Sequence, residues 1–189
     1  MTSKLDRRKK YTRMVLKESL MKLLKEKQIS AITVKELCEL ADVNRSTFYA
    51  HYTDHYDLLY KIEEEIIEDM NDYLSKYNFT KEEESFQMTE KLLEYIVSKR
   101  DITQILLNEN GDITFQKRVM TVVHSFMLKN WMTVKGLDED VLEYLSTFIV
   151  SGSIHVIKRW LDQGMDKSPR EMAEIINNIA NKGISTLKG

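Results

Sequence analysis

The scarcity of helix-breaking residues is the feature that most constrains the fold of this chain. Its 189 residues include one proline, Pro169, and six glycines. Because proline and glycine are the residues that a helix interior tolerates least, long helices joined by short turns are expected. Apolar residues recur at helical spacing, and one such stripe holds Leu16, Leu20, Leu23 and Leu24. No alternating pattern of useful length predicts a strand, so we expect an all-α protein.

Capping signals divide the chain into about nine predicted helices. In the segment from Thr33 to Glu36, the threonine hydroxyl and the glutamate carboxylate can satisfy free amides at a helix start. Asn44 is a natural N-cap for a short third helix, and the pair Thr53-Asp54 ends that helix and caps the fourth. Similar boxes occur at 80–83 and 168–171. The predicted helices cover about 7–27, 34–41, 45–51, 55–70, 81–100, 102–108, 114–134, 138–163 and 169–187.

The charge distribution is asymmetric along the chain. Residues 1–27 contain ten Lys or Arg and three acids, a net charge of +7, whereas the remaining residues contain 18 bases and 27 acids, a net of −9. A basic head on an acidic body indicates that the head meets a polyanion, although a solvated helix face is the alternative.

The cellular compartment follows from features that the sequence does not have. Cys38 is the single cysteine, which excludes an internal disulfide and suits a reducing cytoplasm. The basic start has no apolar segment behind it and therefore does not resemble a signal peptide. No window approaches the roughly 20 apolar residues of a membrane span. We expect a cytoplasmic protein.

The polar segment that follows the second predicted helix carries the strongest functional signal. Two short helices joined by a tight turn, the second rich in polar and aromatic residues, are typical of a helix-turn-helix. Short polar side chains in the first turn of the second helix can approach base edges in a major groove. The candidates for base contacts are Asn44, Arg45, Ser46 and Thr47, and the candidates for phosphate contacts are Thr33, Tyr49, His51 and Tyr52. Phe48 is expected to be the apolar anchor of this helix.

These residues resemble a known family. Thr33-Val34 followed by ELCELADVNRSTFYAHYTDHYDLL is similar to the DNA-binding signature of TetR-type transcriptional regulators, over about residues 7 to 60. The resemblance implies base readout at 44–47 and adds a phosphate contact at His55. Asp42 departs from the pattern because it replaces the usual glycine of the turn. His55 departs from it because lysine is common there, so a contact by His55 would depend on pH.

The body resembles one subgroup of the same family through the run SGSIHVIKRWLDQGMDKSPREMAEII. The resemblance implies a DNA-binding domain over 1–54 and a dimerisation and sensing domain over 55–189. It also implies a homodimer, formed by the last two long helices, that binds a double-stranded, pseudo-palindromic operator in the bacterial cytoplasm, at the nucleoid. The apolar stripe expected on those helices holds Ile149, Val156, Ile175, Ile179 and Leu187.

A small-molecule pocket in the body is a further implication of the resemblance, and the regulator is then a repressor that an inducer releases. The candidate pocket residues are Phe126, Met127, Trp131 and Phe148, with Trp160, His124 and His155 in support. An aromatic and methionine stripe of this kind is more often plain core. The inducer stays unidentified, and a protein partner could replace it.

Other functional classes have less support. His51 and His55 have the spacing of a metal-ligand pair, but a helix break separates them and no glutamate follows the first, so we expect no metal site. No catalytic motif and no cofactor motif is present, so we expect neither an enzyme nor a cofactor. The main alternative is a basic amphipathic helix that binds membrane lipid or RNA. That alternative leaves the capping box and the polar turn of helix unexplained.

Overall fold

The computed structural model describes residues 4–76, 84–108, 115–123 and 139–186. Within these ranges all regular structure is helical, which confirms the all-α prediction. None of the described helices has a stretch long and apolar enough to cross a membrane. The helices are α1 Lys4–Glu26, α2 Val34–Ala41, α3 Arg45–Tyr49, α4 His55–Ser75, α5 Glu84–Ser98, α6 Arg100–Leu107, α7 115–123, α8 Glu139–Asp162 and α9 Pro169–Thr186, with a short 3₁₀ turn at Ile29–Ala31.

Backbone packing groups the described residues into two compact units. The first, the head, takes its residues from 1–68 and 105–113, and the second, the body, from 69–104 and 114–189. The helix α4 is continuous through the point where one unit gives way to the other. The sequence suggests that a DNA-binding domain ends at residue 54. That boundary separates functions rather than packing units, and it stays a prediction.

The head is built on a small apolar core. In it α1 packs on α2, and α2 packs on α3. The side chains at its centre are all at most 3% exposed, and they are Leu16, Leu20, Leu24, Leu37, Phe48, Leu58, Leu59 and Ile62. Each side chain of this size stabilises the fold by about 1.5–3 kcal/mol when it is fully buried. This core fixes the position of the short helix α3, which is too short to be stable by itself.

The body packs α5 and α8 against α9. Its buried side chains include Leu93 and Tyr95 of α5, Trp160 and Leu161 of α8, and Met172 and Ala173 of α9. The turn between α8 and α9 contains Gly164 at φ 82° and Met165 at φ 61°. The indole Nε1 of Trp160 donates to the carbonyl oxygen of Lys167 at 3.0 Å, which holds this turn against the end of α8.

One of the predicted capping boxes forms in full, and a related pair of bonds forms at the cap predicted for α4. The Ser168 hydroxyl accepts from the amide of Glu171 at 3.3 Å, and the Glu171 carboxylate accepts from the amide of Ser168 at 2.8 Å. At the start of α4, Asp54 accepts from the amide of Asp57, while the Asp57 carboxylate accepts from the amide of Thr53. These reciprocal bonds explain why α9 and α4 begin where the sequence predicts.

Three predictions of local structure need correction. The Thr33 hydroxyl caps α2 through the amide of Glu36, but the Glu36 carboxylate does not return the bond because it pairs with Lys27 at 2.6 Å. Asn44 occupies the N-cap position of α3 without a side-chain hydrogen bond. The helix α3 ends at Tyr49 rather than His51, because the amides of His51 and Tyr52 both bond to the Phe48 carbonyl in a turn. The box at 80–83 and the predicted helical residues 124–134 lie outside the described residues.

Candidate nucleic-acid interface

The turn between α2 and α3 sets the direction of the candidate recognition helix. Asp42 is left-handed at φ 52° and ψ 47°, and its amide bonds to the carbonyls of Cys38 and Glu39. The amide of Val43 bonds to the Cys38 carbonyl at 3.0 Å. These bonds close the end of α2 in the manner of a Schellman motif, in which glycine is preferred. The chain therefore makes the tight turn that a helix-turn-helix requires, with Asp42 in a strained conformation.

The helix α3 has one buried residue and a polar surface. Phe48 is 0% exposed, and its ring makes an edge contact with Tyr49, at a centroid distance of 5.4 Å. Tyr49 itself is 58% exposed. Asn44, Arg45 and Ser46 are exposed, and Thr47 is half-buried. The prediction that Phe48 anchors the helix is confirmed, and three of the four predicted base-contact residues are exposed at its N-terminal end.

Tyr52 is buried, unlike Tyr49. It is only 6% exposed, and its ring lies 5.8 Å from the ring of Phe48. Burial is the main cause that raises the pKa of its hydroxyl. The side chain of Tyr52 therefore belongs to the core of the head, and a direct phosphate contact would require it to move.

His55 also lies differently from what the sequence suggests. Both of its ring nitrogens are enclosed and have no hydrogen-bond partner, and the ring lies 4.4 Å from that of Tyr56. A buried polar atom without a partner is uncommon in folded proteins. In this conformation the imidazole presents no nitrogen to a phosphate, so the structure does not group His55 with the other candidate contacts.

His51 lies at the end of α3 beside two basic residues of α1. The His51 side chain is half-buried, and its ring lies 6.2 Å from that of Tyr52. Burial lowers the pKa of His51, and the positive charges of Arg13 and Lys9 lower it further. Lys9 and Arg13 are not among the contact residues that the sequence suggests, and their spacing of four residues on one helix face is the signal that could have found them.

Only some of the candidate pocket residues lie in the part of the chain that the structure describes. Phe126, Met127, Trp131 and His124 lie outside them. Phe148 is 72% exposed in the single chain, so it does not line an interior pocket there. Trp160 is buried, and its Nε1 is used within the turn after α8. His155 is exposed, with Nδ1 at 2.8 Å from the Ser151 carbonyl.

The described residues offer no metal centre. Among them, no group of three or more His, Cys, Asp or Glu side chains could hold an ion.

Comparison with known proteins agrees with this geometry. Residues 83–182, more than half of the chain, match a TetR family model described as "Transcriptional regulator C-terminal region". Together with the tight turn and the exposed polar face of α3, this match defines a helix-turn-helix DNA-binding transcriptional regulator. The chain belongs to the TetR family, which is a family of regulators and not of enzymes.

One curated relative matches the chain over part of its length. Across 64 residues, 34% of this chain, the sequence is 41% identical to the uncharacterized HTH-type transcriptional regulator YxbF of Bacillus subtilis (strain 168). The match covers only 16% of YxbF, so the relative is much longer than the stretch they share.

Solved structures share the fold over most of the chain. The crystal structure of a TetR transcriptional regulator from Streptococcus agalactiae 2603V has a TM-score of 0.72 at 24% identity, covering 93% of this chain and 96% of that one. The dihydroxyacetone kinase operon activator DhaS has a TM-score of 0.58 at 14% identity, with coverage of 93% and 97%. A third structure is that of NalD, the secondary repressor of the MexAB-OprM multidrug efflux pump in Pseudomonas aeruginosa. Its TM-score is 0.66 at 16% identity, covering 91% of this chain and 96% of that one.

Proposed function

We propose that this regulator binds a pseudo-palindromic operator as a homodimer and represses transcription until a small molecule releases it. The observation that carries operator reading is the arrangement of α3, in which one buried phenylalanine fixes a helix whose first turn is exposed and polar. Arg45 can make a bidentate contact with a guanine, and Ser46 and Thr47 can contact base edges or a thymine methyl. Thr33, Tyr49 and His51 then hold the phosphate backbone and set the register.

An exposed apolar surface on the last two helices supports the dimer. Tyr144 and Phe148 of α8 are 80% and 72% exposed, and Ile179 of α9 is 61% exposed. Val156 and Ile175 are also exposed. Large apolar side chains that share two neighbouring helices commonly mark a protein interface. A second copy on this surface would give two recognition helices for two half-sites.

The sign of regulation is the least constrained part of the proposal. The same fold occurs in the activator DhaS and in the repressor NalD, so the fold is compatible with either sign. Repression needs only that a bound dimer covers a promoter, which makes it the simpler assumption. Control by a protein partner is the alternative to a small-molecule inducer.

Selection from random duplex DNA tests the operator proposal directly. At a fixed salt concentration, the bound sequences should be enriched in a motif with two half-sites. Arg45→Ala should relax the preference at one base position, where a wrong base pair costs about 1–3 kcal/mol. Tyr49→Phe is the matched control, because a lost phosphate contact weakens all sequences nearly alike.

Two results would contradict the proposal. Duplex binding without any enriched motif would reduce the head to a charged surface and favour the lipid or RNA alternative. A motif that Arg45→Ala leaves unchanged would show that α3 does not read the DNA. Sedimentation of Phe148→Glu provides the test of the dimer, because a charge on a buried interface should shift the protein to monomers.

A further inference from the structure

Three cations on one face of α1 differ in whether they form an ion pair. Lys9, Arg13 and Lys17 follow one another at four-residue spacing and therefore share a face of the helix. Lys17 forms an ion pair with Glu65 of α4. Lys9 and Arg13 pair with no carboxylate in the part of the chain that the structure describes. This row of cations is thus neutralised at one end and open at the other.

The open end lies beside the end of the recognition helix. Lys9 and Arg13 are exposed, and both act electrostatically on His51, the second residue after α3. Arg13 also acts on Tyr52, and so do the carboxylates of Glu65 and Asp57 of α4. Three groups that are cationic or can become cationic, Lys9, Arg13 and His51, therefore lie near one another, and both charges that act on His51 are positive. Their mutual repulsion in the free protein favours the binding of an anion.

The geometry favours the phosphates of a duplex as that anion. Tyr49, which is exposed, and the polar first turn of α3 are on the same short helix that ends at His51. A duplex that places its groove on this helix carries phosphates along both edges of the groove. Arginine and lysine bind phosphate through charge-assisted hydrogen bonds, and neither residue needs to read a base to do so.

We propose that Lys9 and Arg13 of α1, together with His51, form a phosphate-binding site that extends the DNA contact from the recognition helix to the first helix. This inference rests on the proposed function, because it assumes that α3 lies against DNA. The site contributes affinity for any duplex and carries no base preference. We call these three residues the α1 clamp.

The test measures how salt affects binding to a random-sequence duplex, which needs no knowledge of the operator. The variant Lys9→Gln/Arg13→Gln removes two charges from the clamp. The matched control, Lys22→Gln/Lys25→Gln, removes two exposed charges from the same helix. Lys22 lies roughly 14 Å along α1 from Arg13, farther than the screening length of about 8–10 Å at 0.1–0.15 M salt. Thermal unfolding verifies that both variants fold.

The expected result is a flatter salt dependence for the clamp variant alone. Each lost phosphate contact lowers the slope of log affinity against log salt by about 0.9, so the variant should lose roughly 1.8 per bound protomer. The control should change by less than half of that. The motif selected from random DNA should be the same for the wild type and for the clamp variant.

The outcomes separate this inference from the proposed function. An enriched motif combined with equal slopes for the clamp variant and the control would overturn the α1 clamp and leave operator reading intact. A flattened slope without any motif would support the clamp and overturn operator reading. Absence of duplex binding in the wild type would overturn both. If the clamp variant lost binding to vesicles of phosphatidylcholine and phosphatidylserine but kept its binding to the duplex, the clamp would be overturned in favour of a lipid contact.

Discussion

Two exposed cations of the head, Lys9 and Arg13, differ in their partners from two lysines of the body, Lys91 and Lys99. In the body, Lys99 pairs with Asp69 at 2.8 Å, and Lys91 pairs with Glu94 at 2.7 Å. Tyr95 donates from its hydroxyl to Asp69 at 3.3 Å, which adds a buried aromatic ring to the first pair. In the head, Lys9 and Arg13 have no such acid among the described residues. Lys91 and Lys99 are thus neutralised within the protein, whereas Lys9 and Arg13 are left for an external anion.

This contrast explains how an acidic protein can bind a polyanion. The net charge of −2 would not predict attraction to DNA. Local pairing matters more, because an acid a few ångströms away neutralises a cation, whereas salt screens the cation from acids in other parts of the molecule. In the body, hydrogen bonding to Lys99 is the main cause that lowers the pKa of Asp69, so that this carboxylate stays charged and occupied.

The largest expected effect comes from removing the anchor of the recognition helix. Phe48→Ala deletes a fully buried ring and should destabilise the head by about 3–5 kcal/mol. Denaturant unfolding followed by circular dichroism measures the loss, and duplex binding should fall with it. Tyr49→Ala is the control, because its ring is mostly exposed. Equal stabilities of the two variants would show that the head does not depend on this core.

The network of the body should give an intermediate effect. Tyr95→Phe removes the hydroxyl that bonds to Asp69, at a cost of about 0.5–1.5 kcal/mol. Lys99→Gln removes an exposed ion pair and should cost about 0–1 kcal/mol. Neither change should alter the salt dependence of duplex binding, in contrast to changes in the α1 clamp. A flattened slope for Lys99→Gln would mean that the paired cation also contacts DNA and would remove the distinction between the two regions.

A smaller effect of opposite sign is expected at the turn before α3. Asp42→Gly replaces a left-handed residue by the one that adopts this conformation without strain, and should stabilise the head by about 1 kcal/mol. The melting temperature measures the gain. Asp42→Ala is the control, because it removes the carboxylate but keeps the strained backbone. A gain in Asp42→Ala that equals the gain in Asp42→Gly would assign the effect to charge rather than to conformation.

The local features of the head could be predicted from sequence, and its tertiary features could not. The caps at Thr33 and Asp54 and the burial of Phe48 depend on residues close in the chain. The enclosed nitrogens of His55 depend on how the start of α4 packs, which no local pattern encodes. The closeness of Lys9 to His51 also depends on packing, since the two residues are far apart in sequence.

The body shows the same limit in another form. The sequence predicts Phe148 as a pocket residue because aromatic residues in a helix are usually interior. The side chain is nevertheless exposed in the single chain. Whether such a side chain is covered depends on a partner, and a sequence pattern cannot distinguish an interior face from an interface between chains.

The smallest expected effect concerns pH and has opposite signs for stability and for DNA binding. Burial, Arg13 and Lys9 lower the pKa of His51 in the folded head below its unfolded value of about 6.5. The folded state therefore binds this proton less readily, so stability falls as the pH drops through about 6.5 toward the folded pKa. A phosphate on the α1 clamp would raise that pKa again, so binding takes up a proton and tightens over the same range.

Paired measurements of unfolding and duplex affinity at pH 5.5 and 7.5 test both signs in one protein. In His51→Gln, the difference from the wild type should vanish at the higher pH and be visible at the lower one. The variant Arg13→Gln should reduce the pH dependence of stability, because it removes one of the charges that repel the protonated ring. Stability that falls with acid while duplex affinity stays constant would show that His51 is near the cations but not near a phosphate, and would restrict the α1 clamp to Lys9 and Arg13.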